Sequence, residues 1–454
     1  MIYGSLTGLA RVLGGTLLGP DPGFTGVSTD TRKLAQGELF VALRGPNFDG
    51  HEFVARAAEA GAAAAVVDHP VPVNLPQLLV GDTLAALGGI AADWRRRFEL
   101  PVLAVTGSYG KTTVKEMMAA IAASRGDILA TQGNYNNEVG LPLTLFRLDE
   151  SHRAAVLELG ANHQGEIARM VAICRPSVGL VTAAGPVHLE GFDGLEGVAR
   201  GKGEMFSGLP EDGVAVMNLD SEFVPLWREL AGGRRIVTFG LTAEEAEFRA
   251  EDIRQSLDAD GPLLEFRLVT PDGAADARVR LPGRHNAMNA VAAAATTWAG
   301  GWSLEEIVAG LARSHGVGGR MTLKKAPGGA LVIDDTYNAN PAALQAAIEY
   351  ATALPGETWL VLGDMRELGD ASRSLHAAAG EFARAHGVTR LYTLGRDAAA
   401  AAEAFGDGRC FDEFEALAAA LAGALPPGVN LLVKGSRSMR LDQLVARLVT
   451  EEGA

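Results

Sequence analysis

A chain of 454 residues allows about three domains at the usual ~150 residues each, and 48% hydrophobic against 21% charged residues describes a globular protein and excludes a disordered one. Forty basic and 55 acidic residues leave a formal net charge of −15, which argues against a general nucleic-acid binder but not against small anions held by a few donors. No apolar run reaches the roughly 18 residues that cross a bilayer, no basic stretch leads an apolar one as in a secretory leader, and Cys174 and Cys410 are too few for a disulfide scaffold, so a cytoplasmic α/β enzyme is expected.

Residues 1–98 alternate short apolar runs with helical ones. GELFVALRG (37–45) and AAAAVV (62–67) read as strands, while HEFVARAAEAGA (51–62) and TLAALGGIAADWRRRF (83–98) repeat apolar residues at helical spacing. Leu100 and Pro101 open a new segment. PVLAVTG (101–107) reads as a buried strand and TTVKEMMAAIAASRG (112–126) as a helix ended by glycine. AAVLELG (154–160), SVGLVTA (177–183) and VAVMN (214–218) continue the strands, and a helix is expected over HNAMNAVAAAATTWAG (285–300), after the LPGR turn. From residue 316 onward, ALVIDD (330–335), TWLVLGD (358–364), RLYTLG (390–395) and VNLLVKG (429–435) alternate with Ala-rich helices, one of them over 397–404. Strands alternating with helices predict parallel sheets with crossover helices. The divisions expected are 1–98, 99–315 and 316–454.

The most informative local pattern is TGSYGKTT (106–113), between an apolar strand and a helix. Backbone N–H groups of a glycine-bearing turn and the positive end of the helix would cradle triphosphate oxygens. Lys111 would reach the β- and γ-phosphates, and the Thr112 hydroxyl would ligate magnesium. Val105 stands where the strict GxxxxGK[ST] pattern has glycine, so the match is to the shorter T-G-x-x-G-K-T-T form. Glu158, ending a neighbouring strand, is a candidate for the metal shell, although a strand-end acid is ordinary. His188 in GPVHLEGF reads more simply as structural, and Lys202 in ARGKGEMF as a solvated helix lysine. Asn218 and Asp220 in MNLD form half of a GTPase guanine motif without its lysine, and take a structural reading.

Six segments in one order along the chain carry a wider likeness: TGSYGKTTVKEM, GNYNNEVGLPLTL, LELGANHQGEI, HLEGFDGLEGVARGKGEMFSGL, LPGRHNAMNA and IDDTYNANP. Together they resemble the Mur ligases, and among these the F-type enzymes, which join D-alanyl-D-alanine to UDP-N-acetylmuramoyl-tripeptide in peptidoglycan synthesis. The resemblance runs from VSTDTRKL (27–34) to KGSRSMRLD (434–442). It implies three α/β domains: a small N-terminal one gripping the UDP-sugar, a central P-loop-type ATPase domain with a mostly parallel sheet, and a C-terminal Rossmann-like one.

The same resemblance implies roles for residues. Ser28, Thr31 and Arg32, with the loop from Gly45 to His51, would hold the uridine nucleotide, although STDTR alone is simply a polar turn. Asn136, Asn137 and Glu138 lie in the loop that touches the muramoyl-peptide, with Asn137 the favoured contact. Gly107, Ser108, Gly110, Lys111, Thr112 and Thr113 would hold phosphates, and His285, Asn286 and Asn289 the adenine. Arg320 would come to phosphate and Asp335 to ribose, with Tyr337, Asn338 and Asn340 continuing that loop and the first two of these meeting substrate. Lys434, Ser436 and Arg437 would hold the dipeptide carboxylate, or else form a solvated loop. Thr112 and Glu158 look like ligands of the ATP-bound Mg²⁺ and His188 like a ligand of a second. Lys202 aligns with the family lysine that reacts with CO₂ to give a carbamate, whose anionic oxygens suit Mg²⁺ where an ammonium would be repelled. Lys111, His188 and Lys202 are thereby the implied catalytic residues. Tyr109 stands where the family more often has a small or amide residue, which leaves the shape of the phosphate loop open.

The implied reaction turns a peptide carboxylate into an acyl phosphate with ATP, and the dipeptide amine then attacks it. Competing readings are a sister ligase adding a different amino acid, a folyl-polyglutamate-like ligase, and a nucleotide-switch or UDP-sugar-binding regulator. A monomer without a membrane span or nucleic-acid partner is expected, and the third residue of the tripeptide is left open.

Overall fold

The computed structural model describes residues 2–186, 189–258, 261–314, 318–422 and 425–449. At its centre is a six-stranded parallel sheet in the order Ile128–Ala130, Ala154–Glu158, Val102–Thr106, Val178–Val181, Val214–Asn218, Arg235–Phe239. Four of these strands are buried along their whole length. That is why they read as unbroken runs of Val, Ala and Leu rather than as alternation: helices cover both faces. On one face Val114, Met117, Met118 and Ile121 of the helix Lys111–Ala122 meet the alanines of the helix His285–Ala299. On the other lie Met170, Met205 and Phe206 from the helices Glu166–Cys174 and Gly194–Ser207.

The chain leaves Val102–Thr106 toward one side of the sheet and later returns to its other side, so the connections diverge at this strand. In open α/β sheets the crevice beyond the carboxyl end of such a strand is where ligands bind. TGSYGKTT begins at that end, with Thr106 as the last residue of the strand.

A second parallel sheet precedes this one, in the order Thr16–Leu18, Gln77–Leu79, Ala64–Val67, Leu39–Val41, Val27–Ser28, with only Thr16–Leu18 antiparallel to its neighbour. Ser28 closes its strand at the carboxyl edge of this sheet, and the 44–51 segment follows the adjacent strand at the same edge. The expected helix over 51–62 is shorter: a 3₁₀ turn Gly50–Phe53 leads into a helix Val54–Glu59. The third large sheet runs Thr322–Lys325, Leu331–Asp335, Val429–Lys434, Glu357–Gly363, Val388–Leu394, Arg409–Phe411, antiparallel only at the first pair. Its carboxyl edge carries Asp335 and Lys434, opposite each other in register.

A three-stranded antiparallel sheet, Arg249–Asp258, Gly261–Thr270 and Gly273–Val279, was not anticipated. Its signal is present in LEFRL: Leu264, Phe266 and Leu268 are buried while Glu265 and Arg267 face out, the period of two of a half-buried strand.

Candidate active site

The phosphate loop is shaped by two glycines. Gly107 has φ 142°, and a side chain there would strike the Thr182 hydroxyl at 2.1 Å; Gly110 has φ 77° and would meet Asn289 Oδ1 at 2.4 Å. Gly110 sits at the helix start and brings no side-chain cap, so the first N–H groups of Lys111–Ala122 are left for a ligand. The loop is pinned from the neighbouring strand end. Ser108 N donates to Ala183 O at 2.8 Å, the Ser108 hydroxyl bonds Gly185 in both directions, and the Thr182 hydroxyl donates to Tyr109 O at 2.5 Å.

A cavity of about 490 Å³ opens in front of this loop, within the range of small-molecule sites. Its walls bring together Ser108, Gly110, Lys111, Thr112, Thr113 and Glu158 from the central sheet, and His285, Asn286 and Asn289 from the helix after the LPGR turn. Arg320, Asp335, Tyr337, Asn338, Asn340 and Lys434 close it from the carboxyl edge of the third sheet. Residues more than 200 positions apart touch: Arg320 Nη2 donates to the Thr112 hydroxyl at 3.0 Å, and its guanidinium lies over the Tyr337 ring at 4.2 Å.

Glu158 is 3% exposed. Its Oε1 accepts Asn136 Nδ2 at 2.8 Å, whereas Oε2 is buried without a partner. An unpaired carboxylate oxygen costs stability unless a cation or donor joins it, and with the Thr112 hydroxyl nearby in the same cavity the oxygen donors suit Mg²⁺. Lys111 Nζ donates to Gly107 O at 2.6 Å. Burial holds its pKa below the ordinary lysine value; Glu158 opposes that shift and Arg320 adds to it. His285 lines the cavity and is exposed there, yet desolvation by the surrounding protein keeps its imidazole below the usual pKa, with Asp335 opposing and Lys434 assisting. Asn286 donates from Nδ2 to Pro282 O at 2.6 Å, and its Oδ1 accepts from Asn289 Nδ2 at 2.9 Å, which fixes both amides.

Lys202 is not a solvated helix lysine. It is 1% exposed, with Nζ donating to Ala161 O at 3.0 Å and lying 4.8 Å from the Phe192 ring centre. Burial first, and then the charge of Lys111, push its pKa down to about 7 against the pull of Glu166 and Glu204. His188 lies outside the described residues.

The other expected residues divide between the cavity wall and positions outside it. Lys434 is not in a solvated loop: it ends a strand at 2% exposure, pairs with Asp335 Oδ2 and donates to Asn338 O at 3.0 Å. Ser436 is likewise buried, accepting Arg366 N at 2.8 Å, while Arg437 is exposed and pairs with Asp442 at 3.4 Å. Asn137 is exposed and accepts Gly140 N at 2.8 Å at the start of the helix Gly140–Leu145. Its neighbour Asn136 is the one that lines the cavity, and adjacency in an Asn-Asn pair offered no way to choose between them. Asn218, given a structural reading, donates to Thr182 O at 2.9 Å and also lines the cavity; Asp220 binds the amides of Leu241, Thr242 and Ala243. Tyr109 lines it too. Its ring lies so close on Gly185 that a side chain there would meet it at 2.4 Å, and burial pushes the phenol up to about 12.

Ser28, Thr31 and Arg32 do not line this cavity. Arg32 is exposed and grips Asp30 with two bonds, at 2.9 and 2.8 Å, holding that carboxyl down at about 2. Beyond the same sheet edge, His51, Asp68 and His69 bring donor atoms within 4.8 Å of one another. Arg44 already sits on Asp68 and His69 at 3.2 and 3.3 Å, and His51 Nε2 accepts Asp68 N, so this cluster is a closed hydrogen-bond network.

Family descriptions match three stretches: "Mur ligase family, catalytic domain" at residues 23–95, "Mur ligase middle domain" at 105–297, and "Mur ligase, glutamate ligase domain" at 319–437. The UDP-N-acetylmuramoyl-tripeptide–D-alanyl-D-alanine ligase of Escherichia coli strain K12 is 44% identical over 455 residues, covering 100% of both chains. Among solved structures, MurF from Acinetobacter baumannii is 35% identical with a TM-score of 0.92 over 99% of each chain. MurF from Thermotoga maritima in complex with ADP is 27% identical, with a TM-score of 0.81 over 93% of this chain and 96% of that one. With identity sustained over the full length and a cavity built from the matched segments, this chain belongs to the Mur ligase family.

Proposed function

We propose that the chain joins D-alanyl-D-alanine to UDP-N-acetylmuramoyl-tripeptide, cleaving ATP to ADP and phosphate. The observation that carries the reading is the buried Glu158 carboxylate, with one oxygen held by Asn136 and the other unpaired, in the wall of a cavity that Thr112 and an uncapped helix start also line. That is a triphosphate site with a place for its cation. The named relatives supply the substrates.

A carboxylate is a poor electrophile, so ATP is needed. In this reading the peptide carboxylate attacks the γ-phosphorus in line, the bond to ADP breaks, and an acyl phosphate forms. The phosphates would join Glu158 as charge partners of Lys111, and the helix start would face the oxygens on which charge spreads. Thr112 and Glu158 are the residues that would hold Mg²⁺, which neutralises phosphate charge when bound. The dipeptide amine then attacks the acyl carbon and phosphate leaves from the tetrahedral intermediate. Holding both reactants is worth on the order of 7 kcal/mol or more, and the side of the cavity carrying Arg320 and Asp335 keeps water from the intermediate.

Lys202 fits the carbamate reading: with its pKa near 7, a large share of its amine is neutral at physiological pH and nucleophilic toward CO₂. Attack forms an N–C bond, releases a proton and leaves an anionic carbamate. The division at residues 98 and 315, the second metal at His188, uridine binding by Ser28, Thr31 and Arg32, peptide binding by Asn137 and Arg437, a monomeric state and a cytoplasmic location belong to the same reading. Two free cysteines, one of them buried, suit a reducing compartment, and among the described residues no helix is long and apolar enough to cross a membrane.

The test is phosphate release from ATP and Mg²⁺ with UDP-N-acetylmuramoyl-tripeptide, with and without D-alanyl-D-alanine, and the product mass. Release that needs both acceptors and yields a UDP-pentapeptide supports the ligase. Release indifferent to either acceptor leaves an uncoupled nucleotidase or switch.

A further inference from the structure

The two oxygens suited to the nucleotide's cation come from different elements: Thr112 from the first turn of the helix Lys111–Ala122, and Glu158 from the end of the strand Ala154–Glu158. Mg²⁺ tolerates little departure from octahedral geometry with bonds near ~2.0–2.1 Å, so helix and strand must be held in register. Lys115 stands between them. It lies one turn beyond Lys111 on the same helix face, is 2% exposed, and its ammonium donates to Thr131 O at 2.8 Å and pairs with Glu116 at 2.5 Å. Thr131, 1% exposed, follows the strand Ile128–Ala130. Its amide donates to Val156 O at 3.1 Å, and its hydroxyl accepts the Glu158 amide at 3.0 Å. A continuous chain of bonds thus runs from the helix that carries Thr112 to the backbone of Glu158. Burying an ammonium is costly, and methionine would fill the same space. What the charge adds is a directed tie across the sheet.

We propose that Lys115 and Thr131 are positioning residues, which set the Glu158 carboxylate against the Thr112 hydroxyl so that both oxygens reach one divalent cation. This rests on the nucleotide site of the proposed function. The experiment titrates Mn²⁺ into the full-length protein with ADP, by electron paramagnetic resonance, for wild type, Lys115→Met, Thr131→Val and Thr131→Ser, alongside ADP binding in EDTA. Lys115→Met and Thr131→Val are expected to weaken Mn²⁺ by about tenfold or more, with metal-free ADP affinity within about twofold. Thr131→Ser, which keeps the hydroxyl, should stay near wild type. In turnover, the Mg²⁺ concentration for half-maximal rate should rise, with the KM for the peptide substrate unchanged. A folded Lys115→Met protein that binds Mn²⁺ as wild type does overturns the proposal. Should that variant fail to fold, unchanged Mn²⁺ binding in Thr131→Val overturns it equally. Wild type that binds no Mn²⁺ with ADP would overturn the nucleotide site and this inference with it, whereas normal wild-type binding with unaffected variants overturns this inference alone.

Discussion

Replacing Lys202 by Met removes an ammonium enclosed at 1% exposure, and the effect on stability should depend on pH in a defined direction. The folded pKa is about 7 against 10.5 for the ordinary side chain, mainly because burial disfavours the charge. Between those values the unfolded chain binds more protons than the folded one, so wild-type stability rises with pH across this window, and below pH 7 the penalty is present in full. At ~1.4 kcal/mol per unit, the penalty is on the order of 4–5 kcal/mol at about pH 6 and roughly 2 kcal/mol at about pH 9. Relative to Lys202→Met, which keeps the packing on Phe192 and loses only the bond to Ala161 O, wild type should therefore gain roughly 2–3 kcal/mol between about pH 6 and pH 9. The assay is urea unfolding in CO₂-free buffer, following the transition that ATP shifts, because a chain with several cores does not unfold in one step. A difference that is flat in pH, or that runs the other way, would refute the burial argument. The same shift bears on chemistry: at pH 7 about half of these amines are neutral, against roughly one in three thousand for an ordinary lysine, so stripping CO₂ should lower the ligation rate and bicarbonate restore it.

Glu158→Gln keeps an acceptor for Asn136 but removes the charge, and should reduce turnover by at least ~100-fold at moderate Mg²⁺ in a steady-state assay; a loss under tenfold would contradict a cation site here. Gly185→Ala puts a side chain 2.4 Å from the Tyr109 ring, so the phosphate loop must shift, at roughly 1–3 kcal/mol in stability and with weaker ATP binding by calorimetry. Pairing it with Tyr109→Ala should recover much of that loss, and strict additivity in the double-mutant cycle would show that the contact is not the cause. Lys434→Met leaves Asp335 buried without its cation and should cost about 3–5 kcal/mol in denaturant unfolding, while Lys434→Met with Asp335→Asn should cost less; equal losses would mean that the pair is not coupled.

The parallel sheets were legible because burial on both faces leaves an unbroken apolar signature, as in VLAVT and VAVMN. The phosphate loop was legible because its chemistry is local: two glycines, a lysine and a threonine within eight residues at the head of one helix. What escaped is non-local. Lys202 reads as a surface lysine until Phe192 and Ala161 close over it. Lys434 reads as part of a basic loop until its strand proves to pair in register with Asp335, nearly a hundred residues earlier. Lys115 and Thr131 carry no motif, since their roles exist only where helix and sheet meet. The antiparallel sheet was a different kind of miss: its alternation lies in LEFRL, within residues 219–284, for which no strand is expected from the sequence alone.

Arg320 shows how the two sides of the cavity answer to the nucleotide. Its Nη2 takes the Thr112 hydroxyl, the oxygen a cation would use, while its Nε is buried without a partner. A guanidinium and a divalent cation repel at that distance, so metal and Arg320 cannot both depend on Thr112 without an anion between them. In the proposed function a phosphate would provide that anion: it would satisfy the orphaned Nε, offer the guanidinium a bidentate partner, and release Thr112 to the metal. Tyr337 already supports the guanidinium from below, so little movement of the side chain is needed. On that reading the contact between the central sheet and the third one would be strongest with ATP and Mg²⁺ bound, so that the cavity closes ahead of the transfer that forms the water-sensitive acyl phosphate.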